Sequence, residues 1–203
     1  MLKIYGAARS RGIRVLWMAN ELGLQFEHMD YLPRSDPTKT SEYRALNPNG
    51  RVPTIDDDGF ILSESMAINC YLAKKHKSPL SPADPKHEAL VLQWSLWETD
   101  RTDRQLVNYV RHTMELPEAE RKKDLADESW KEVSASFDVL ETALKKSEWL
   151  AGPQFSVGDL NVAGALYRAL SLDLAKWPKL KAWLTRCWDR PAAKKVKAMR
   201  EGK

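Results

Sequence analysis

The 203-residue sequence predicts an α/β unit of order β-α-β then β-β-α, followed by an all-α bundle. Three observations predict this. Short alternating apolar segments interleave with helical spacing in the first part of the chain. A proline-rich stretch, Ser78-Pro79-Leu80-Ser81-Pro82-Ala83-Asp84-Pro85, then interrupts the pattern. Beyond it helical spacing recurs with no convincing strand. The expected division is a first domain at 1–77, a linker at 78–86 and a helical domain at 87–203.

Leu2-Lys3-Ile4-Tyr5 alternates as a strand. Residues 13–22 carry Ile13, Leu16, Trp17 and Met18 on one face and stop at Gly23, which reads as an amphipathic helix with a glycine terminator. Residues 26–31 give a second strand, and 38–46 a short polar helix or turn ended by the loop Asn47-Pro48-Asn49-Gly50. Strands at 52–55 and 60–62 flank the turn Asp56-Asp57-Asp58-Gly59, and a helix at 65–75 closes the unit. This order is the thioredoxin-like arrangement in outline. In the second part, 90–114, 125–145, 157–171 and 180–187 read as helices of a bundle. Ser156 and Asp159, spaced three apart before an apolar run, form a capping box.

Composition narrows the function classes. No run is long enough to span a bilayer, and Met1-Leu2-Lys3-Ile4-Tyr5 reads as a strand rather than a leader, so a soluble, cytoplasmic protein is expected. Cys70 and Cys187 belong to no Cys-x-x-Cys pair and no metal-ligand spacing, which leaves a disulfide framework and a metal site unsupported. The net charge of +4 is uneven: residues 176–203 hold ten Lys or Arg against two acids, residues 81–175 eleven against seventeen. The basic end has little aromatic interleaving, so it reads as a solvated terminal helix rather than a nucleic-acid surface.

Residues 51–68 carry the most chemistry. Pro53 ahead of a short strand removes one N–H and leaves neighbouring backbone groups able to pair with a peptide-like ligand. Ser63, Glu64 and Ser65 stand where a helix begins, and helix starts attract carboxylate or phosphate. Singly, each piece reads first as an ordinary edge strand or N-cap. Together, Val52-Pro53 and Glu64-Ser65 resemble the glutathione-binding half of the soluble glutathione S-transferase family. The resemblance implies a cis Pro53, a Val52 backbone paired with the cysteinyl part of glutathione, and Glu64 and Ser65 on its γ-glutamyl end. The Ser156/Asp159 box is similar to the capping motif of that family's second domain.

The family's activating residue lies between the first strand and first helix, here Gly6-Ala7-Ala8-Arg9-Ser10-Arg11-Gly12. A redox Cys-x-x-Cys is absent from this loop. Ser10, four residues before Arg14, resembles the serine of the serine-type, theta/delta-like subgroup, which donates to the glutathione sulfur; the residues alone also allow a helix cap. A thiol with a pKa near ~8.5 is mostly protonated at neutral pH, so a hydroxyl donor, a helix start and nearby guanidinium groups would favour thiolate. The substrate's sulfur, not the serine, is then the nucleophile. Arg14 reads as structural, and Arg9 and Arg11 flank the site.

By the same resemblance Lys39 meets the glycine carboxylate of glutathione, with Asn49 and Arg51 adding loop contacts. Arg11, Trp97, Asp100, Arg104 and Tyr109 are the expected electrophile residues, with Trp94 on the same stretch and most of its tryptophans reading as core. The implied activity is transfer of glutathione, a co-substrate rather than a cofactor, to a hydrophobic electrophile in a homodimer that needs no metal, nucleic acid or membrane. Alternatives are a glutathione-dependent disulfide or peroxide reductase and a non-catalytic binding or regulatory protein on the same fold.

Overall fold

The computed structural model describes residues 1–202, which form two compact units: residues 1–81 with 188–202, and residues 82–187. The first unit contains β1 (Leu2–Tyr5), α1 (Gly12–Glu21), β2 (Phe26–Met29), a 3₁₀ turn (Asp36–Lys39), α2 (Ser41–Leu46), β3 (Thr54–Asp57), β4 (Phe60–Ser63) and α3 (Ser65–Lys75). The sheet order is β2-β1-β3-β4. β1 runs parallel to β2 and antiparallel to β3, with Ile4 opposite Ile55, and β3 pairs antiparallel with β4, with Ile55 opposite Leu62. A crossover helix joins the parallel pair and a tight turn the antiparallel pair, as each geometry requires. Ile4, Ile55, Ile13, Leu16, Trp17, Ile68 and Leu72 make the buried layer between the sheet and its helices.

The second unit is helical, with α4 (Pro85–Arg101), α5 (Asp103–Val110), α6 (Lys123–Leu144), α7 (Val157–Ala165) and α8 (Pro178–Trp188). Its core stacks Trp130, Phe137 and Trp177, with ring centroids 5.2 Å apart for Phe137 and Trp177. The capping box forms. Asp159 is buried and accepts from the Leu150 N–H, the Trp183 indole, and the Ser156 N–H and hydroxyl, so it staples the start of α7 to α8 and to the preceding loop. This is a stability role: removing such a cap costs about 0.5–2 kcal/mol in general.

Several expected elements differ: the strand expected at 52–55 is β3 at Thr54–Asp57, and the helix expected at 157–171 ends at Ala165 and passes into a 3₁₀ turn at Leu166–Ser171. The helix expected at 90–114 is α4, then α5, then a π-helical turn at Arg111–Glu115, with the break at Thr102. The helix or turn expected at 38–46 is both, the end of a 3₁₀ turn and then α2, because Thr40 is extended and its hydroxyl caps α2 by accepting from the Tyr43 N–H. The basic terminal segment is not a solvated helix: α9 (Pro191–Glu201) buries Ala193 and Val196 and packs along α1. It therefore belongs by packing to the first unit, whereas the division at 87 drawn from the sequence follows chain order.

Among the described residues no helix is long and apolar enough to cross a membrane, and no cluster of three His, Cys, Asp or Glu could hold a metal.

Candidate functional site

At the carboxyl end of β1 the chain turns into the loop of residues 6–12, and two glycines fix how closely that loop packs. Gly6 has φ +148°, and a Cβ there would stand 3.3 Å from the Pro53 Cα. A Cβ on Gly12 would stand 2.7 Å from the carbonyl oxygens of both Ala7 and Gly6, so only glycine lets α1 begin this close to the loop. The Gly6 carbonyl accepts from the Nε2 of His28 on β2 at 3.0 Å, which fixes Nε2 as the protonated nitrogen. The β1–α1 loop and the Val52-Pro53 turn are thus brought side by side.

The Val52–Pro53 peptide bond is cis, as the sequence resemblance implies. Val52 is half-buried and Pro53 buried, and no backbone hydrogen bond among the described residues uses the Val52 N–H or carbonyl. Its neighbour is the opposite case. The Arg51 carbonyl accepts from the Tyr43 hydroxyl at 2.6 Å and the Asn47 amide at 3.0 Å. Asn47 also donates to the Thr54 hydroxyl at 3.0 Å and accepts from the Asn49 N–H at 3.1 Å. Tyr43, Asn47 and Thr54 are all buried. Burial, first of its causes, pushes the Tyr43 phenol above its ordinary value, so it stays a hydrogen-bond donor at neutral pH. The network clamps one side of the cis turn and leaves the Val52 peptide groups open.

Ser10 is half-buried in the turn before α1. Its hydroxyl donates to the Ala7 carbonyl at 2.7 Å and accepts from the Gly12 N–H at 2.9 Å. A serine hydroxyl has one hydrogen and two lone pairs, so the hydrogen is committed within the loop while one lone pair is spare. Arg9 and Arg11 are exposed on either side. Arg14 is buried within α1 and donates to the Ser65 hydroxyl at 3.2 Å, tying the start of α3 to α1.

Ser65 is the first residue of α3 and is buried. Glu64 just before it is exposed, with φ +71° and ψ +110°. That conformation is sparsely populated for a residue with a Cβ and costs on the order of 1–3 kcal/mol, so packing must hold it, and such outliers cluster at ligand clamps. Lys39 is exposed and pairs with Asp36 at 2.8 Å. Its segment abuts the loop before the cis turn: a Cβ on Gly50 would stand 3.0 Å from the Thr38 carbonyl. Ser10, Arg11, Val52, Pro53, Glu64, Ser65 and Lys39 all belong to the first unit.

The remaining expected residues lie in the helical unit. Trp97 is half-buried against Trp94, with ring centroids 5.4 Å apart. Asp100 and Arg104 are exposed, Asp100 pairing with Arg101 at 2.9 Å. Tyr109 stacks on Trp130 at 4.6 Å and so faces that unit's aromatic core.

Sequence reasoning missed the Tyr43–Asn47–Thr54 clamp, the tight approach at Gly12 and the positive φ of Glu64. Only Asn47 carried a signal, and Asn47-Pro48-Asn49-Gly50 signals a loop without naming what the loop holds.

Residues 1–74 match the model of the glutathione S-transferase N-terminal domain, and residues 97–191 that of the C-terminal domain. The chain is 30% identical over 203 residues to glutathione S-transferase GstB of Escherichia coli K12, covering 97% of each. It is 29% identical to glutathione S-transferase F13 of Arabidopsis thaliana, covering 96% of this chain and 94% of the relative. Among solved structures it is similar to a theta class glutathione S-transferase of Xanthomonas axonopodis pv. citri with glutathione bound, with a TM-score of 0.90, 30% identity and 96% of each chain covered. Glutathione transferase F7 of Populus trichocarpa aligns with a TM-score of 0.85 at 28% identity, over 98% of this chain and 99% of that one.

Proposed function

The chain belongs to the glutathione S-transferase family, and from that premise we propose that it holds glutathione on its first unit and activates it as a thiolate for attack on a hydrophobic electrophile. The observation that carries this reading is the Val52 backbone, open on one side of a clamped cis turn and packed beside the Ser10 loop. An extended cysteinyl residue can pair with that backbone as an added strand would, which sets its side chain toward the loop.

Ser10 is the proposed activating residue. Within the loop its hydrogen rests on the Ala7 carbonyl. A thiolate is a stronger acceptor than a neutral carbonyl, so the hydrogen swings to sulfur while the Gly12 N–H holds the oxygen in position. Each step that favours the anion over the thiol lowers the thiol pKa; about two units require roughly 2.7 kcal/mol, within reach of a charge-assisted hydrogen bond plus a helix start. The thiol proton passes to solvent water; the anion then displaces the leaving group of an aryl halide, or opens an epoxide or adds to an enal whose resulting anion takes a proton from water, and the serine keeps its proton throughout.

Glu64 and Ser65 are proposed to hold the γ-glutamyl end, with Arg14 orienting the Ser65 hydroxyl, and Lys39 to meet the glycine carboxylate. The electrophile residues are assigned on the resemblance alone: Arg11, Trp97, Asp100, Arg104 and Tyr109. A homodimer is proposed, in keeping with the exposed apolar side chains of Phe60 on β4 and Leu92 and Leu96 on α4.

The test is calorimetric titration with glutathione followed by turnover against a panel of aryl halides, epoxides and enals. Binding at micromolar to millimolar glutathione and turnover with at least one class support the reading. Binding without turnover would leave a glutathione-binding protein, and absence of both would end it.

A further inference from the structure

We propose that Arg200, near the end of α9, is a positioning residue for the thiol-activating loop. The helix lies along α1 in the opposite direction and is fastened at both ends. At one end Arg190 donates two hydrogen bonds to Glu21, at 2.7 and 2.8 Å, beside the stacked Trp17 and Trp188 rings at 4.7 Å. At the other, two residues before the glycine that ends the helix, Arg200 donates through Nη1 to the Ala8 carbonyl at 2.8 Å. Ala193 and Val196 are buried between these fasteners, so the helix is fixed along its length. Ten residues of helix span about 15 Å, enough to carry one arginine from the far end of α1 to the loop at its start.

Ala8 is a consequential place to hold. Its neighbour Ala7 supplies the carbonyl that accepts from both the Ser10 N–H at 3.0 Å and the Ser10 hydroxyl at 2.7 Å. A guanidinium on the next carbonyl fixes the plane of the Ala8–Arg9 peptide, and with it the direction in which the loop delivers Ser10. It also adds fixed positive charge beside the loop, which favours an anion there. The loop has no regular secondary structure between Gly6 and Gly12, so the Arg200 contact adds an outside hold to the hydrogen bonds that Ala7, Ser10 and Gly12 make within it. The basic end of the chain thus has a local task at the site.

The inference rests on the reading of Ser10 as the thiolate donor, and the experiment separates the two. Arg200→Gln, Arg200→Lys, Arg190→Gln and Ser10→Ala are compared by amide hydrogen exchange at Ser10 and Gly12 and by the thiol pKa of bound glutathione, read from ultraviolet thiolate absorbance. Arg200→Gln is expected to speed exchange at both amides by at least about tenfold and to raise the thiol pKa by roughly half to one unit, a three- to tenfold fall in the thiol's ionisation constant. Arg200→Lys should recover part of both. Arg190→Gln loosens the same helix at its other end, and should lower Tm at least as much while leaving both readouts unchanged. If Arg200→Gln lowers Tm but leaves exchange at Ser10 and Gly12 as in the parent, Arg200 is only a helix anchor and the proposal is overturned. If Ser10→Ala leaves the thiol pKa unchanged while Arg200→Gln still speeds exchange, the reading of Ser10 fails and the hold on the loop stands.

Discussion

Replacing Asn47 by alanine tests whether the clamp behind the cis turn builds the ligand site. The change removes two donors, to Arg51 and Thr54, and the acceptor for the Asn49 N–H. The exposed Asn49 N–H can turn to water, but the Arg51 and Thr54 groups lose partners in a buried setting. Tyr43 still donates to the Arg51 carbonyl, so the loss is about 2–3 kcal/mol rather than the full cost of orphaning it. For a chain of this length that lowers Tm by about 4–12 °C. Tyr43→Phe, which leaves the Asn47 donor in place, should cost about 1 kcal/mol. In the double variant the Arg51 carbonyl keeps only the Thr54 hydroxyl at 3.4 Å, so the loss should exceed the sum of the single losses, and affinity for glutathione should fall at least about tenfold. Denaturant melts and calorimetric titration of the four proteins form the assay. Additive losses with an unchanged Kd would refute the idea that the clamp shapes the Val52 backbone.

Other outcomes follow from single contacts. Ser65→Ala should weaken glutathione binding by roughly 1–3 kcal/mol by calorimetry, and an unchanged affinity removes Ser65 from the site. Gly12→Ala would set a Cβ 2.7 Å from two backbone carbonyl oxygens, so the loop must shift; turnover should drop and stability fall by about 1–3 kcal/mol in a melt, whereas a neutral result would mean α1 can slide. Asp57 reports on acid. Burial raises its carboxyl, but hydrogen bonds from Lys75 and Tyr71 and the charge of Lys75 more than offset this and hold it below its ordinary value. Its stabilising contribution is therefore complete above the unfolded-state pKa and lost as pH falls through the lower folded value. Lys75→Met should lower Tm at neutral pH, and its difference from the parent should close in acid; a gap constant across pH would contradict the pairing.

The β-α-β then β-β-α order was legible because each element carries its own period: Leu2–Tyr5 alternates, and Ile13, Leu16 and Trp17 share a helical face that the fold buries. Breaks inside helices were not. The apolar spacing of residues 90–114 lapses between Trp97 and Leu106, but a polar run of that length does not name Thr102 as the place where α4 gives way to α5. The basic terminal helix misled for a related reason. Only Ala193 and Val196 are buried on it, too few to outweigh its lysines in a reading by composition, and its partner α1 is remote in sequence. In the site, Val52-Pro53 and Glu64-Ser65 were readable as motifs. Their supports were not, because the hydrogen bonds from Tyr43 and Asn47 to a carbonyl use the backbone of Arg51, and a backbone acceptor leaves no trace in residue identity.

The central claim is that Ser10 activates a bound thiol, and the thiol pKa of bound glutathione measures it directly. Thiolate absorbance followed across pH should give a pKa well below ~8.5 in the parent protein and a value about one to two units higher in Ser10→Ala, with glutathione affinity nearly intact and turnover recovering as pH rises. An alanine variant with the parent's thiol pKa and turnover would contradict the account, leaving Ser10 as the loop staple its contacts with Ala7 and Gly12 already make it.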